Sequence, residues 1–155
     1  METIITNAVT AALDRLELNY NHEGEVFTLI MDCEDADFTI RIIADEKNEF
    51  LLTIGYFPVK ISKIYFDKMY KVINELNCSL MVGAFVLDSE DGELIFRIGN
   101  NVDEGAINEQ VVTACFFQVV NRLKNTYNDI MKAMFGGEQY TFTFGNEATS
   151  PEQPN

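Results

Sequence analysis

The period of the apolar pattern changes along this chain, and that change constrains the fold more than any other feature. Over residues 3–18 the apolar side chains Ile5, Val9, Ala12, Leu13 and Leu16 recur at helical spacing, with Asp14, Arg15 and Glu17 outside and the Thr3 or Thr6 hydroxyl available to open the helix. Residues 19–24, Asn-Tyr-Asn-His-Glu-Gly, are turn formers, and beyond them the period falls to two. Residues 25–32 set Phe27, Leu29 and Met31 on one face. Residues 37–44 do the same with Phe38, Ile40 and Ile42, and residues 49–57 alternate Phe50, Leu52, Ile54 and Tyr56. The linking segments 33–36 and 45–48 are of hairpin length, so the three strands form an antiparallel meander that Pro58 ends.

The helical period returns over residues 59–76, through Ile61, Ile64, Tyr65, Met69, Val72, Ile73 and Leu76, with proline opening this helix and Asn77 closing it. Residues 82–87 and 93–98 are two further strands around a tight Asp91-Gly92 turn, and residues 99–105 are a polar loop. The longest periodic segment spans 108–135 and stops at Gly136-Gly137. Val112, Cys115, Phe116, Val119, Leu123, Tyr127, Ile130, Met131 and Met134 form its stripe. Val111, Phe117 and Val120 widen that stripe beyond one sheet face, so a second helix or a partner must cover the flank. Residues 140–144 alternate like a short strand, and 145–155 hold no apolar cluster and are expected to be disordered. The expected fold class is α+β: an antiparallel sheet of about five strands with three helices, order α-β-β-β-α-β-β-α, in one domain over 1–137 followed by a short strand-like and acidic segment over 138–155.

Composition narrows the function. With 155 residues and 47% apolar side chains there is material for one well-buried core. A net charge of −14 repels phosphate backbones and anionic lipids, which argues against nucleic acid and membrane partners. Cys33, Cys78 and Cys115 are far apart and never paired as CxxC, so they are read as reduced, buried thiols of a cytoplasmic protein. The first residues carry no basic leader, and no run reaches the length of a membrane span.

Catalytic groups are sparse. His22, the sole histidine, lies in a turn beside Glu23 and is read as a solvated turn residue. Residues 88–93 superficially suggest a calcium loop, but the glycine stands one place too early and no bidentate glutamate follows, so they are read as a hairpin turn. Asp32, Glu34, Asp35 and Asp37 are read as solvated turn charges that discourage edge-to-edge pairing. There is no phosphate-binding glycine loop and no GxSxG elbow. No catalytic, cofactor-binding or metal-binding residue is assigned, and no enzyme activity is expected.

Three runs are familiar together: Val72, Ile73, Asn74, Glu75, Leu76 and Asn77; then Gly83 through Asp88; then Asp91 through Arg97. They resemble the YbjN-like family, whose fold is similar to that of type III secretion chaperones. Asn74 and Asn77 suit a helix end where backbone groups need side-chain partners. The resemblance implies a small acidic protein without chemistry of its own that binds other proteins, as a chaperone or a regulatory adaptor, and often pairs with itself.

The informative positions lie on the second face of the sheet, where Val26, Thr28, Ile30, Thr39, Ile43, Leu51 and Thr53 interleave with Arg41 and Arg97. A face wholly open to water should alternate more cleanly. Either the first helix or the 140–144 segment covers part of it, or it is a protein-binding or self-association surface. The candidate partner residues are Val26, Thr28, Ile30, Arg41, Ile43, Leu51, Val111, Phe117 and Val120. The alternative function is a carrier of a small apolar ligand in a cavity between sheet and long helix, lined from the chain's 12 phenylalanines and 6 tyrosines. Charge is uneven as well. Acidic groups crowd residues 23–49 and 86–104, while Lys60, Lys63, Lys68 and Lys71 make the second helix basic, a pattern able to dock between subunits or to steer a partner.

Overall fold

The computed structural model describes residues 3–102 and 107–136, so the expected strand at 140–144 and the expected disorder beyond it lie outside the described residues. The elements are α1 (Ile4–Arg15), β1 (Asn21–Glu23), β2 (Val26–Asp32), β3 (Asp37–Asp45), β4 (Phe50–Tyr56), α2 (Phe66–Ser79) after a 3-10 turn at Lys63–Tyr65, β5 (Ala84–Leu87), β6 (Leu94–Asn101) and α3 (Glu109–Phe135). The class is α+β as expected. The strands form one 6-stranded antiparallel sheet in the order β1-β2-β3-β4-β6-β5.

The sixth strand is β1, in the segment expected to be only a turn. Gly24, at φ 58°, lets Gly24 and Glu25 close a two-residue hairpin that pairs Glu23 with Val26 and His22 with Phe27. At the other end β6 continues to Asn101, where a loop was expected, because Phe50, Leu51 and Leu52 of β4 offer it a pairing edge.

Helix ends also depart from their local signals. Thr3 makes no side-chain cap; the carboxylate of Glu46, from the β3–β4 turn, accepts the Thr6 N–H at 2.7 Å instead. Pro58 does not open α2. Phe57 N–H donates to Leu94 O and Ile61 N–H to Gly92 O, both at 2.8 Å, which ties residues 57–61, bent at Pro58 and Val59, to the start of β6. Asn77 does not close α2 but lies within its last turn. Its Oδ1 accepts the Phe85 N–H at 2.8 Å and its Nδ2 donates to the Phe85 carbonyl at 3.0 Å. Residue 85 therefore turns its backbone groups away from β6, and the Asn77 amide serves them as a neighbouring strand would. Asn108 caps α3 as its position suggests, accepting the Val111 N–H at 3.0 Å.

All three helices lie on one face of the sheet. Ile5, Val9, Ala12 and Leu13 of α1, Met69, Val72, Ile73 and Leu76 of α2, and Val112, Phe116, Val119 and Leu123 of α3 join a single core with Phe27, Leu29, Phe38, Ile40, Ile42, Leu51, Phe85, Phe96 and Ile98. α1 packs against both β3 and α3, and the Arg15–Glu109 ion pair at 2.5 Å ties its last turn to the first turn of α3. A second helix is thus what meets the wide apolar surface of α3.

The strand β4 corrects the sequence expectation. Ala44 pairs with Leu51, Ile42 with Thr53 and Ile40 with Gly55, so Leu51, Thr53 and Gly55 face the helices. Phe50, Leu52, Ile54 and Tyr56 face the opposite way. Close approach of α3 explains the choice: a Cβ on Gly55 would collide with Leu123 Cδ1 and would stand 2.6 Å from Val119 Cγ1. Cys78 is likewise exposed rather than buried, and Cys33 is intermediate; only Cys115 matches the buried-thiol expectation.

Candidate functional site

The face turned away from the helices is covered by none of the described elements. Register lays its side chains out in transverse rows. Nearest the β2–β3 turn is the acidic pair Asp32 and Asp37, and next to it an apolar row crosses Ile30, Thr39, Tyr56, Ile95 and Val86. The next crosses Thr28, Arg41, Ile54, Arg97 and Ala84. A third runs through Glu23, Val26, Ile43, Leu52 and Gly99, and the far end holds Asp45 and Phe50. Ile30 is 67% exposed, although an isoleucine at the centre of a paired strand is ordinarily buried. Ile54 is only 8% exposed yet stands apart from the main core, between the two arginines. The Phe50 ring lies over Gly99, its Cζ 2.5 Å from where a Cβ would stand.

Arg41 and Arg97 are the cations of this face. The Arg41 guanidinium sits 5.2 Å from the Tyr56 ring centroid and donates to the Tyr56 hydroxyl at 3.5 Å. Among the described residues neither arginine has an acidic partner within ion-pairing distance, in a chain with 25 acidic side chains. The strand spacing sets the two Cα atoms roughly 10 Å apart, with Ile54 between them.

The sequence-derived candidates separate accordingly. Val26, Thr28, Ile30, Arg41 and Ile43 do share the open face. Leu51 does not: it is 0% exposed beneath the helices, for the register reason given above. Val120 is 5% exposed and belongs to the core, and Val111 is half-buried against it. Phe117 alone of the three on α3 remains open, at 41%, edge-on to Phe116 with centroids 5.4 Å apart. Sequence reasoning missed Leu52, Ile54, Tyr56, Ile95 and Val86 as members of the face. Both faces of β4 are apolar, so alternation could not assign them; Gly55, the one residue there without a side chain to fit under a helix, was the available signal.

Other candidate sites resolve as structural. His22 is exposed, stacked on Phe27 at 3.9 Å between centroids, with Nε2 2.8 Å from the Gly24 carbonyl. In residues 88–93 the carboxylates serve the turn itself, Asp88 accepting the Glu90 N–H and Asp91 the Glu93 N–H, while Lys60 pairs with Asp91 at 2.9 Å. Asp32 and Asp37 face each other across the β2–β3 turn, and the hydrogen bond that a protonated Asp37 donates to Asp32, together with the charge of Asp32, holds the Asp37 carboxyl above the usual range. Among the described residues no group of three or more His, Cys, Asp or Glu could hold a metal ion, and no helix is long and apolar enough to cross a membrane. A cleft of about 510 Å³ opens between α3, β6 and residues 79–82. Its lining is mixed: Leu80, Met81, Val82, Phe96 and Ile98 are apolar, and Ser79, Gln118, Asn121, Arg122 and Asn125 are polar.

These features define a two-layer α+β protein whose antiparallel sheet carries helices on one side and an apolar, arginine-bearing surface on the other. The chain belongs to the YbjN family, described as "Putative bacterial sensory transduction regulator", which matches residues 6–130. Comparison with curated proteins finds no match. Among solved structures it is similar to the "Crystal structure of YbjN, a putative transcription regulator from E. coli", at a TM-score of 0.54 and 13% identity over 84% of this chain and 89% of that one. It is also similar to a chain of the HopA1–SchA chaperone–effector complex, at a TM-score of 0.52 and 13% identity over 80% and 92% of the two chains. At such identity these likenesses concern the fold.

Proposed function

We propose that this protein is a non-enzymatic protein-binding module, chaperone-like or regulatory, that holds its partner on the open sheet face. The observation that carries the reading is the pair Arg41 and Arg97, without acidic partners among the described residues, set in an apolar surface that no described element covers. Such a surface fits a protein segment presenting apolar side chains together with carboxylates. The descriptions of the family and of the two solved structures speak of regulation and of a chaperone with its effector, and none names a reaction. The 510 Å³ cleft does not favour the ligand-carrier alternative, since it opens to solvent and half of its lining residues are polar.

Affinity capture from the native lysate, run in parallel with the native chain, with Ile30→Asp and with Arg41→Glu combined with Arg97→Glu, tests the reading. Proteins retained by the native chain and lost from both folded variants are expected. An identical retained set from all three chains refutes the sheet face as the site. Self-association is assigned to the Phe117 flank of α3, where Phe117 remains 41% exposed beside the buried Phe116. Sedimentation at micromolar concentration checks it: a Phe117→Glu chain is expected to be monomeric, and a native chain that is monomeric throughout removes self-association.

A further inference from the structure

We infer that the cleft on the helix side of the sheet is a binding site for a small organic monocarboxylate with an apolar body, of the medium-chain aliphatic kind. It lies apart from the open sheet face and does not depend on that face being a binding surface. The cleft forms where the chain leaves α2 for β5. Gly83, at φ 77°, makes the turn, and a Cβ there would stand 2.5 Å from Phe96 Cζ and 3.0 Å from Ile98 Cγ1, so only glycine lets the connection lie this close to β6. Residues 80–82, β6 and α3 then bound a space of about 510 Å³, within the range of small-molecule sites. The connection contributes apolar side chains that remain in water: Met81 is 100% exposed and Val82 57%.

α3 supplies the polar side. Gln118, Asn121, Arg122 and Asn125 recur at helical spacing, so their heads share one face over roughly 10 Å of helix. None of these four side chains has a hydrogen-bond or ion-pair partner among the described residues. They offer a guanidinium fork and three carboxamides, all able to donate. No aspartate or glutamate stands among the described lining residues, in a chain with 25 of them. The ligand follows from that set. A guanidinium holds a carboxylate through two parallel N–H···O bonds, and neighbouring amides can serve its remaining lone pairs. Arg122 is the one cation of the described lining, so one negative charge is matched; a second, as on a dicarboxylate or a phosphate monoester, would meet only the net −14 of the chain. A wholly apolar molecule would strip water from the donors without replacing its hydrogen bonds, whereas an acid with an apolar body satisfies both sides of the cleft.

Titration calorimetry of the full-length chain with decanoate, kept below its micelle-forming concentration, tests this. A one-site isotherm with a Kd on the order of 0.1 mM is expected for a ligand of about 12 non-hydrogen atoms. In nuclear magnetic resonance spectra the side-chain amide signals of Gln118, Asn121 and Asn125 should move with the same Kd. Arg122→Gln should weaken binding ~10- to 100-fold, and Arg122→Lys, which keeps the charge without the fork, by less. Arg41→Gln with Arg97→Gln, on the opposite face, should leave it within about 2-fold. Decanol and acetate, the body without the charge and the charge without the body, should each bind at least ~10-fold more weakly. Absence of decanoate binding at ~1 mM overturns the inference, as does binding that survives Arg122→Gln or that is lost with Arg41 and Arg97 instead. Decanol binding as tightly as decanoate overturns the carboxylate assignment. Because Arg122 is not on the open sheet face, these outcomes are independent of the capture experiment.

Discussion

Replacing Asn77 should unseat the edge strand β5. Its side chain makes two hydrogen bonds to the backbone of Phe85, at 2.8 and 3.0 Å, and Phe85 is 2% exposed, packed on Phe96 with ring centroids 4.9 Å apart. In Asn77→Ala the N–H and carbonyl of residue 85 both lose their partner. Each such bond contributes on the order of 1 kcal/mol net, and a half-buried group left unmatched costs somewhat more, so the loss should be about 2–3 kcal/mol. With a urea m-value of roughly 1.5–2 kcal/mol per molar, the unfolding midpoint should fall by about 1–2 M. Asn74, one turn earlier in α2 and exposed, is the internal control: Asn74→Ala should stay within about 0.5 kcal/mol of the native chain. Asn77→Asp should lose at least as much as Asn77→Ala, since a carboxylate faces the Phe85 carbonyl without a donor. Urea melts followed by far-UV circular dichroism decide the matter. Equal midpoints for the Asn74→Ala and Asn77→Ala chains would refute the role given to this amide.

Three other outcomes follow from the packing. Gly55→Ala should destabilise by about 1–3 kcal/mol through collision with Leu123 and Val119, and a thermodynamic cycle with Leu123→Ala should show the double variant losing less than the sum of the two. The Thr53 hydroxyl, 0% exposed, has no hydrogen-bond partner among the described residues, so Thr53→Val should raise stability by about 1 kcal/mol in the same melts. Because Asp32 holds the Asp37 carboxyl above its ordinary value of 3.8, the folded chain keeps a proton that the unfolded chain releases. Stability should therefore fall as pH rises from about 3.8 through that raised value, and Asp37→Asn should flatten this part of the midpoint-against-pH curve.

Local pattern was enough for the class of fold and for most of its elements. The period-two runs around Phe27, Phe38 and Phe50 and the helical stripe from Val112 to Met134 each report a face through residues close in sequence, which is the information alternation carries. The hairpin at Asp91-Gly92 and the start of the long helix near Asn108 were legible for the same reason: the groups that satisfy one another are within a few residues. Where the partner is distant, the local signal misled. Thr3 looked like a cap, yet Glu46 supplies the bond from 40 residues away, and Pro58 looked like a helix start, yet Leu94 and Gly92 tie that segment to the start of β6.

The candidate surface shows the division most clearly. A partly apolar second face was readable from Val26, Ile30 and Ile43 interleaved with Arg41, but not whether it is covered. Its membership was not, because a strand apolar on both sides can be turned over by one residue of register without changing its own pattern. Only the meeting of β4 with β3 and α3 decided that Leu51 and Thr53 go inward with Gly55 while Leu52, Ile54 and Tyr56 join the arginines. The sequence by itself determined that helices and an antiparallel sheet would share one core, since periodicity is written in neighbouring residues. Which face of the sheet is left for a partner depended on how closely a helix can approach a glycine more than sixty residues earlier, and only the tertiary structure holds that information.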